Sequence, residues 1–438
     1  MYSKPRLVAL SSFSASLLSL LVAAQAVAGT VTTDGPDITI KTKGGFEAAT
    51  SDKAFSFKLG GRLQADYDHF DGIYTKNGKT ANEAYFRRAI LELSGTVYQD
   101  WKYVMNIDFN ESGSSKWDEA SIAYTGFKPV NIKVGRFDPD FGLEKATSSK
   151  WISTIERSML YDVADWVNDK RDGMGIQVSG THDMFYGSAG INRPDGEEDK
   201  NGKNKNTYNL RAVVAPMAEA GNVLHFGVNY AKRNVDEFDG QVRSRMGIRG
   251  TTEDKKNGNR PVFAKTHVTI DPITGKSVTH HEFDGDSAWG LEAAYAVGPF
   301  SVQGEYLRRA IDAKSGSAYK DRKVDAYNVQ LAYTLTGEPR GYKLDGGKFD
   351  SIKPNDKDLG AWELVYRYDH AKVTDADMDQ SGSFYDTKGK VHTLGVNWYA
   401  NESIKVSANY LKAKTTKVTN GNDDTKGDGV SLRVQYAF

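Results

Sequence analysis

The chain has 438 residues, no cysteine, and 57 basic against 57 acidic residues. Without cysteine there is no disulfide framework, no thiolate metal site and no cysteine nucleophile. The balanced total charge gives no hint of an anionic partner and none of a nucleic acid, so any preference for an anion must come from where the charges lie.

The first 28 residues predict a secretory signal that is cleaved after Ala28. Lys4 and Arg6 form a positive start, an apolar run follows from Leu7 to Ala24, and residues 26–28 supply a small-residue cleavage motif. The alternative is an N-terminal membrane anchor, but the motif and the polar stretch after it are more typical of cleavage. Removal takes away two positive charges and leaves a net charge near −2. No second apolar run is long enough for a membrane-spanning helix.

From Phe55 onward, apolar and polar residues alternate in many segments. Successive side chains of a β-strand point to opposite faces, so each segment has one apolar and one polar face. In the final segment, alternate residues from Val430 to Phe438 are apolar, and Ser431, Arg433 and Gln435 lie between them. A strand with lipid on one side and water on the other has this pattern. Further alternating segments, often ending in aromatic residues, are 55–67, 101–109, 289–297, 362–369 and 394–410.

The connections between these segments alternate between short and long. Short ones lie near 99–100, 128–129, 298–299 and 401–402. Long polar ones lie near 69–83, 111–117, 138–172, 194–205, 235–286, 312–322, 373–390 and 416–427. Eight long loops separated by short turns predict sixteen strands, as in transmembrane barrels with short periplasmic turns and long outer loops. One inner connection, 337–358, is long and lysine-rich and departs from this rule.

The predicted fold is an all-β, 16-stranded antiparallel transmembrane β-barrel over residues 55–438, with its last strand closing beside Phe55–Tyr67. Residues 29–54 are expected to form an N-terminal periplasmic segment. A soluble sandwich or propeller is the alternative, since its apolar face would form a core. The signal, the terminal aromatic strand and the even strand count favour the barrel, and no repeat of constant period supports a propeller.

The 138–172 loop is too long for a simple connection. Loops above about 15 residues in ordered domains are usually functional or disordered. This one contains apolar residues that can pack: Trp151, Ile152, Ile155, Leu160 and Trp166. We expect it to fold into the barrel and narrow it, with its hydroxyl and ammonium groups donating hydrogen bonds to an anion. The alternative is an outer loop that closes over a small core of its own.

The 235–286 loop is rich in arginine. Arg243, Arg245 and Arg249 share one parity, so an extended conformation would place three guanidinium groups on one face, and Arg260 follows. Guanidinium is always charged, and its donor fork suits phosphate oxygens. The alternatives are a solvated basic loop and a loop that binds phosphate groups of lipopolysaccharide.

Arginines on the strands are predicted to face the barrel interior. Leu91 and Leu93 mark the lipid side of their strand, so Arg88 points inward, as Arg62 does on the preceding strand. Arg87 has the wrong parity and requires a local bulge to reach the interior. Of the neighbours Asp118 and Glu119, one is expected to face the anion path. A carboxylate there would weaken anion binding enough to permit release.

The sequence does not predict an enzyme. A hydrolytic site needs a nucleophile, a base and an orienting group, and the eight histidines show no such spacing. G-x-S-x-G and H-E-x-x-H motifs are absent. His280-His281 lies in a polar loop without an evident third metal ligand. No cofactor and no metal are expected.

Long stretches of the chain resemble the phosphate-selective porin family, porins O and P. They are GGRLQADYDHFDG, AYFRRA, TGFKPVNIKVGRF, FGLEKATSSKW, DWVND, AYTLTGEPR and LGVNWYANE. The resemblance extends from Gly29 to Phe438, and matches of this length are specific. It implies a homotrimeric, sixteen-stranded channel of the Gram-negative outer membrane, surrounded by lipid and lipopolysaccharide, that passes phosphate-type anions.

In this family a series of arginines leads from the outside to a central constriction, and lysines receive the anion on the periplasmic side. The resemblance implies an arginine ladder of Arg243, Arg245, Arg249 and Arg260. The implied constriction comprises Arg62, Arg87, Arg88, Asp118, Lys145, Ser148, Ser149 and Arg157. The implied exit lysines are Lys41, Lys43, Lys53, Lys58, Lys102, Lys150, Lys343 and Lys348.

The chain departs from the family pattern in places. The outermost ladder arginine is replaced by Gln241, and the loop near 110–116 is shorter. Two positions that separate the orthophosphate-preferring member from the pyrophosphate-preferring one are Ile90 and Asp138 here. Asp138 matches the pyrophosphate type, whereas Ile90 matches neither and removes an aromatic wall. The smaller side chain favours pyrophosphate or short polyphosphate alongside phosphate.

The expected function is diffusive, anion-selective uptake of phosphate and pyrophosphate through the outer membrane. The main alternative is a general porin whose basic residues only bias selectivity. A third is a surface-binding barrel with a blocked pore, which would use the 235–286 and 373–390 loops.

Overall fold

A single closed sheet dominates the computed structural model. The structure describes residues 29–31, 35–42, 44–110, 116–168, 173–193, 206–266, 268–375, 385–418 and 424–438. The predicted signal and Lys43 lie outside these ranges. The helices within them are α1 (Leu143–Ala146), α2 (Met159–Val163), α3 (Gly250–Glu253) and a 3-10 helix at Asp165–Asn168. None of these helices is long and apolar enough to cross a membrane.

The strands of the described residues follow the alternating segments of the sequence. Before the barrel lie β1 (Gly29–Val31), β2 (Ile38–Lys41) and β3 (Phe46–Thr50). The first part of the barrel comprises β4 (Ser56–Gly72), β5 (Gly78–Val97), β6 (Trp101–Asp108), β7 (Lys116–Phe127), β8 (Val130–Arg136), β9 (Met174–His182), β10 (Phe185–Arg193), β11 (Thr207–Glu219) and β12 (Asn222–Phe238). Short loop strands follow, β13 (Val242–Arg243), β14 (Val262–Ala264), β15 (Val268–Ile270) and β16 (Ser277–Thr279). The remainder are β17 (Phe283–Val297), β18 (Phe300–Ala313), β19 (Arg322–Thr334), β20 (Arg340–Lys343), β21 (Lys348–Ile352), β22 (Ala361–Asp375), β23 (Tyr385–Tyr399), β24 (Ile404–Thr416) and β25 (Lys426–Ala437).

Sixteen of the described strands form the antiparallel barrel. They are β4 to β12, β17 to β19 and β22 to β25, and each pairs with the next in this order. The strand β25 then pairs with β4, with Leu432 opposite Tyr67. At the end of this seam the backbone N–H of Phe438 donates to the carbonyl oxygen of Gly61. The predicted sixteen-stranded barrel and its closure by the last strand are confirmed.

The two faces of the barrel strands differ as the alternation predicts. Leu432 and Val434 are 44% and 56% exposed on the outside of β25, whereas Arg433 between them is 4% exposed. Around the outside, exposed apolar side chains are bordered by aromatic ones such as Trp362 and Trp398, which is the surface that lipid requires. A soluble sandwich or propeller is therefore the wrong interpretation of the alternating pattern.

Strands on the long-loop side extend further than the sequence suggested. A loop was predicted from 69 to 83, but β4 and β5 contain 17 and 20 residues, and their connection covers only 73–77. His69, for example, pairs with Asn82 within the sheet. This prediction was wrong because a strand that continues beyond the hydrocarbon region carries polar residues on both faces, so polarity does not mark the end of pairing.

A β-bulge in β5 turns Arg87 toward the interior. Gln64 on β4 pairs with Arg88. The next pair along is Ala65 with Phe86, so Arg87 is the extra residue. A bulge re-aims one side chain and preserves the alternation on either side. The bulge predicted for Arg87 is therefore confirmed.

A second bulge lies on β7 and was not predicted. Asn106 on β6 pairs with Glu119, and the following pair is Ile107 with Trp117. Asp118 is the extra residue between them. The bulge explains why Asp118 and Glu119 both form ion pairs with inward-facing basic residues, although simple alternation allowed only one of them to do so.

Two smaller elements lie at the short-turn end of the barrel. The strand β3 pairs with β2 and with the start of β4, so the N-terminal strands continue the barrel sheet. The connection from β19 to β22 contains the β20–β21 hairpin, here called the inner hairpin, which folds into the barrel. The Tyr342 hydroxyl and His225 Nδ1 share a hydrogen bond of 2.6 Å. Arg211 donates to the carbonyl oxygens of Gly346 and Gly347 at 2.7 and 2.8 Å.

Candidate functional site

The described part of the 138–172 loop, residues 138–168, crosses the barrel interior and is attached to one half of the wall. Its N–H groups at Leu143 and Glu144 donate to the Glu305 carboxylate at 2.7 and 3.2 Å. Side chains of five wall strands donate to its carbonyl oxygens: Asn209 to Val167, Arg309 to Val163, Asn397 to Ser153, Lys405 to Ile152 and Arg433 to Ile155. We call this segment the constriction loop. Its predicted inward folding is confirmed, and the alternative of an outer loop with its own core is wrong.

Apolar side chains fasten the constriction loop to the same half of the barrel. Leu160 and Trp166 are each 1% exposed and belong to a cluster with inward-facing residues of β12, β17 to β19 and β22 to β24. Ile152 and Ile155 are also buried. Each large apolar side chain contributes about 1.5–3 kcal/mol when it is buried. These contacts therefore hold the constriction loop in one position against the barrel wall.

Within the 235–286 loop, the segment from Val242 to Ala264 enters the barrel and rests on the constriction loop. Its buried apolar residues include Val242, Met246, Ile248 and Phe263. The Tyr74 hydroxyl donates to the Met246 carbonyl oxygen at 3.0 Å. The Asp162 carboxylate of the constriction loop accepts from the Ser244 hydroxyl at 3.0 Å and from the Arg245 backbone N–H at 2.6 Å. The interpretation of this region as a solvated basic loop is wrong.

The arginines of this second loop do not lie on one face of an extended strand. The strand β13 ends at Arg243, and Met246 and Gly247 have φ angles of 52° and 88°. Left-handed residues turn the chain and interrupt the alternation of a strand. The predicted three-guanidinium face therefore does not form, and tertiary contacts bring the arginines together instead.

Open space remains against the opposite half of the wall. A cavity of about 420 Å³ lies between the constriction loop, the inner hairpin and strands β6 to β10. Its charged lining comprises the four lysines Lys102, Lys133, Lys145 and Lys348 and the five carboxylates Asp118, Glu119, Asp138, Asp140 and Asp345. The passage is therefore displaced to one side of the barrel.

Six inward-facing arginines on the strands of the loop-bearing half are neutralised by carboxylates. The pairs have N–O distances of 2.6–3.0 Å and are Arg211–Glu292, Arg233–Asp286, Arg309–Asp286, Arg322–Asp375, Arg367–Asp369 and Arg433–Asp66. Breaking a buried pair of this kind costs about 3–5 kcal/mol. These arginines are braces of the barrel and have little attraction left for a passing anion.

Arg88 on β5 and Arg157 on the constriction loop have neutral partners. Arg88 donates to the amide oxygen of Gln64 at 2.9 Å. Arg157 donates to the carbonyl oxygens of Glu144 and Thr147 at 3.2 and 2.9 Å. A neutral acceptor orients a guanidinium without cancelling its charge. Both arginines therefore retain an attraction for anions.

Arg62 joins the wall to the constriction loop. Its Nη1 lies 3.5 Å from the Ser148 hydroxyl oxygen, and its Nη2 lies 3.8 Å from the Asp118 carboxylate. Among the described residues, its buried Nε has no hydrogen-bond partner. A guanidinium, a hydroxyl and one more distant carboxylate thus meet at this point, and the structure brings these three predicted residues together.

Arg87 has a different environment from Arg88. Its Nε and Nη2 donate to the Glu156 carboxylate at 2.8 and 3.2 Å, and Arg433 donates to the same carboxylate at 2.8 Å. Burial alone would raise the pKa of the Glu156 carboxyl, but Arg87 and Arg433 hold that pKa well below its ordinary value. Glu156 therefore ties the bulge of β5, the constriction loop and β25 together.

The arginines of the second loop continue the series toward the long-loop end. Arg245 pairs with Asp162 at 3.2 Å and Arg249 with Glu253 at 3.0 Å. Burial lowers the pKa of Arg260 to about 10 although Asp162 opposes this effect. Neighbouring members lie close enough to influence each other's charge, in the order Arg243, Arg260, Arg245, Arg249, Arg87, Arg88, Arg62 and Arg157. The predicted arginines thus form one series between the second loop and the constriction loop.

Two of the predicted lysines lie on the constriction loop, and a third lies on the inner hairpin. Lys145 is 3.6 Å from the Asp138 carboxylate. Lys150 is 4.0 Å from Glu92, and burial lowers the pKa of its ammonium group although Glu92 opposes this effect. Burial also lowers the pKa of Lys348 on the inner hairpin.

The remaining predicted exit lysines are more scattered. Lys343 pairs with Asp350 at 2.5 Å on the inner hairpin. Lys41 belongs to the N-terminal sheet, Lys53 to the turn that follows it, and Lys58 to the start of β4. Lys102 lines the cavity itself. The structure thus brings Lys102, Lys145 and Lys348 together and leaves the N-terminal lysines at the short-turn rim.

Two predicted site residues are largely covered. Ile90 is 5% exposed and pairs with Arg62 across the strands. Ser149 is 7% exposed, and its carbonyl oxygen accepts from Gln64 Nε2 at 3.4 Å. The hydroxyl recorded next to Arg62 is that of Ser148.

Several residues of the site were not predicted. Gln64 and Glu92 have the inward parity of the predicted arginines, and this signal was sufficient to find them. Lys133, which lies 3.4 Å from Glu119, follows the same alternation on β8. Glu156 carries no such signal, because a loop has no fixed parity.

The arrangement has the chemistry of an anion passage. Guanidinium, ammonium and hydroxyl groups all donate hydrogen bonds, and the first two carry positive charge. Several such donors together match a small oxyanion with many acceptor atoms. Confinement within the barrel lowers the local dielectric constant and strengthens the attraction.

Comparisons with known proteins agree with this geometry. The family model for the phosphate-selective porins O and P matches residues 57–438. Porin O of Pseudomonas aeruginosa is 56% identical over 97% of this chain and 98% of its own length. Among solved structures, OmpT of Vibrio cholerae has a TM-score of 0.56 at 11% identity, with 88% of this chain and 98% of that chain covered. OprB of Pseudomonas putida has a TM-score of 0.53 at 11% identity, with 88% and 95% covered. At this identity the two structures support the fold alone, whereas the family match and the close relative are decisive: the chain belongs to the phosphate-selective porin O and P family and is an outer-membrane β-barrel of a Gram-negative bacterium.

Proposed function

We propose that the protein is an anion-selective porin through which phosphate, pyrophosphate and short polyphosphate diffuse across the outer membrane. The observation that carries this proposal is the contrast between two groups of inward-facing arginines. Six arginines on the strands of the loop-bearing half are matched by carboxylates at 2.6–3.0 Å. At the constriction, Arg88 and Arg157 have neutral acceptors and Arg62 has a carboxylate only at 3.8 Å.

Transport requires binding that is strong enough for entry and weak enough for exit. The arginine series supplies many neighbouring positions, so an anion exchanges one set of donors for the next. Asp118 beside Arg62 and Asp138 beside Lys145 place carboxylates near two of these positions. Their repulsion toward the anion limits its residence time.

The preference between phosphate and pyrophosphate is assigned to Ile90 and Asp138. Ile90 is nearly covered, so it acts by shaping the surface beside Arg62 rather than by direct contact. A small residue at this position and a carboxylate at 138 favour the longer anion, whose two phosphoryl groups can contact separate basic groups.

We further propose that the mature chain begins after Ala28, that the short turns face the periplasm, and that three copies assemble. A trimer form of OmpT from Vibrio cholerae has been solved, which shares the fold at 12% identity. Cross-linking of the purified protein, followed by N-terminal sequencing, tests both the assembly and the start of the mature chain.

Conductance in a planar bilayer tests the channel function. In potassium chloride, added phosphate or pyrophosphate should block chloride current saturably, since the polyvalent anion occupies the same passage. The half-blocking concentrations of the two anions give their relative affinity. Current that rises linearly with salt and ignores both anions would identify a general porin, and an absence of current would identify a blocked, surface-binding barrel.

A further inference from the structure

The outer face of β23 to β25 carries a concentration of lysines near the long-loop end. They are exposed, point away from the barrel interior, and comprise Lys388, Lys390, Lys412, Lys414 and Lys426. We call this set the lysine array. On each strand the array lies next to the outward apolar residues, on their long-loop side. It therefore lies at one edge of the surface that contacts lipid.

Aromatic residues mark the boundary between this band and the array. His392 lies 2.8 Å from the Tyr366 hydroxyl and 4.9 Å, between ring centroids, from Tyr368. His370 stacks on Tyr327 at 5.0 Å. Amphipathic rings gather at the level where hydrocarbon meets headgroups. The lysines just beyond them therefore lie at headgroup level.

The register of the sheet places like charges directly opposite one another. Lys390 pairs with Lys414 across β23 and β24, and Lys414 pairs with Lys426 across β24 and β25. Lys372 on β22 faces Lys388 in the same way. Directly opposite side chains have Cβ atoms only about 4.5–5.5 Å apart, and like charges there destabilise a sheet. A sheet can tolerate this repulsion between lysines where a bound ligand supplies the opposite charge.

Nearby outward cations are already neutralised within the chain. Arg308 lies 2.7 Å from Asp325, and Lys372 lies 2.8 Å from Asp386. The array differs, because within the described ranges no ion pair involves Lys388, Lys390, Lys414 or Lys426. Lys412 differs from these four, because it faces the Asp428 carboxylate across β24 and β25.

We propose that the lysine array binds the phosphate groups of lipopolysaccharide in the outer leaflet. Long loops of such barrels face the cell exterior, so the array is level with the phosphorylated headgroup of that lipid. Ammonium groups at the ends of flexible stems can surround a phosphate from several strands, while acyl chains lie against the apolar band below. This site is separate from the passage and does not depend on which anion the channel carries.

The test compares two variants of the full-length, refolded porin. The first carries Lys388→Gln, Lys390→Gln and Lys414→Gln. The control carries Lys128→Gln, Lys232→Gln and Lys357→Gln, which remove the same charge from exposed positions elsewhere on the protein. Binding of purified lipopolysaccharide, and of the same lipid after chemical removal of its phosphates, is measured by the shift in thermal unfolding with lipid concentration. Each lysine near an anionic lipid surface contributes about fivefold in affinity, so the array variant should bind about 100-fold more weakly.

The wild-type protein and the control should bind the phosphorylated lipid alike, and neither should be stabilised by the dephosphorylated lipid. Without lipid, the array variant should unfold at the same or a higher temperature, because repulsion between neighbouring lysines is relieved. Equal lipopolysaccharide binding by the two variants would overturn the proposal, as would equal binding of both lipid forms. If the array variant loses phosphate block of the channel and keeps lipid binding, the lysines serve the channel mouth instead and the proposal is wrong.

Discussion

Replacing Arg88 by alanine removes one guanidinium from the passage without disturbing a buried ion pair. Its recorded contact is a hydrogen bond of 2.9 Å to the neutral Gln64 amide. The Gln64 amide keeps its hydrogen bond of 2.7 Å from Nε2 to the Gln435 amide oxygen. The barrel should therefore assemble normally.

The size of the effect follows from the type of contact that is lost. A hydrogen bond to a charged partner contributes about 1.5–3 kcal/mol. Each 1.4 kcal/mol corresponds to about a factor of ten in affinity. The concentration of phosphate that blocks half of the chloride current should thus rise by about 10- to 150-fold in the Arg88→Ala channel.

Single-channel recording in a planar bilayer provides the measurement. Arg308→Ala is the matched control, because it removes the same charge from the outer surface, where Arg308 pairs with Asp325. Heat-modifiable migration on a gel verifies the fold of both variants. A half-blocking concentration within twofold of the wild-type value, in a correctly folded Arg88→Ala channel, would refute the role given to this arginine.

Three more predictions concern the neighbours of Arg88. Asp118→Asn should lower the half-blocking phosphate concentration about two- to fivefold and reduce flux at saturation, because a part-exposed ion pair with Arg62 is worth up to about 1 kcal/mol; unchanged block and flux would contradict this. Glu156→Gln should lower the free energy of unfolding by about 3–5 kcal/mol at pH 7, since Arg87 loses its carboxylate partner and Arg433 keeps only Asp66. The folded-state pKa of Glu156 is depressed. The stability that this group contributes is therefore present above the ordinary glutamate pKa of about 4.3 and is lost only as the pH falls toward the depressed value. In denaturant unfolding of the wild type, the contribution of Glu156 should thus stay independent of pH down to about pH 4. Phosphate block should weaken as the pH rises toward 10, because the lowered pKa of Lys150 means that its ammonium group loses its proton before an ordinary lysine does. Lys150→Arg should retain more of the block, since a guanidinium stays charged; equal alkaline loss in wild type and variant would exclude Lys150 from the effect.

The barrel was predictable because lipid imposes a simple rule on every strand. An alternation of two faces identified β25 and its closure against β4, and the inward direction of Arg62 and Arg88 followed from the same rule. The limits of the rule appear where water replaces lipid. Above the membrane both faces of β4 and β5 are wet, so the sequence placed their connection at 69–83 instead of 73–77.

The site was less predictable, since its geometry depends on contacts between distant segments. The bulge at Arg87 was required by the resemblance to the family, but the bulge at Asp118 had no sequence signal. Arg245 and Arg249 were assigned to an extended segment, whereas turns and the contact with Asp162 determine where they lie. The role of Glu156 emerged only from the packing of the constriction loop against β25.

The displacement of the passage to one side of the barrel has a consequence for how such channels diversify. Arg87, Arg88, Ile90 and Asp118 all lie within β5 to β7, a short contiguous part of the gene. The braces that hold the constriction loop lie mostly on β11 to β25. Exchange of this three-stranded segment between relatives would therefore transfer the wall that we propose to influence selectivity, while leaving most braces of the recipient in place. The two requirements of the protein, stability and choice of solute, can then evolve at different rates in different parts of a single sheet.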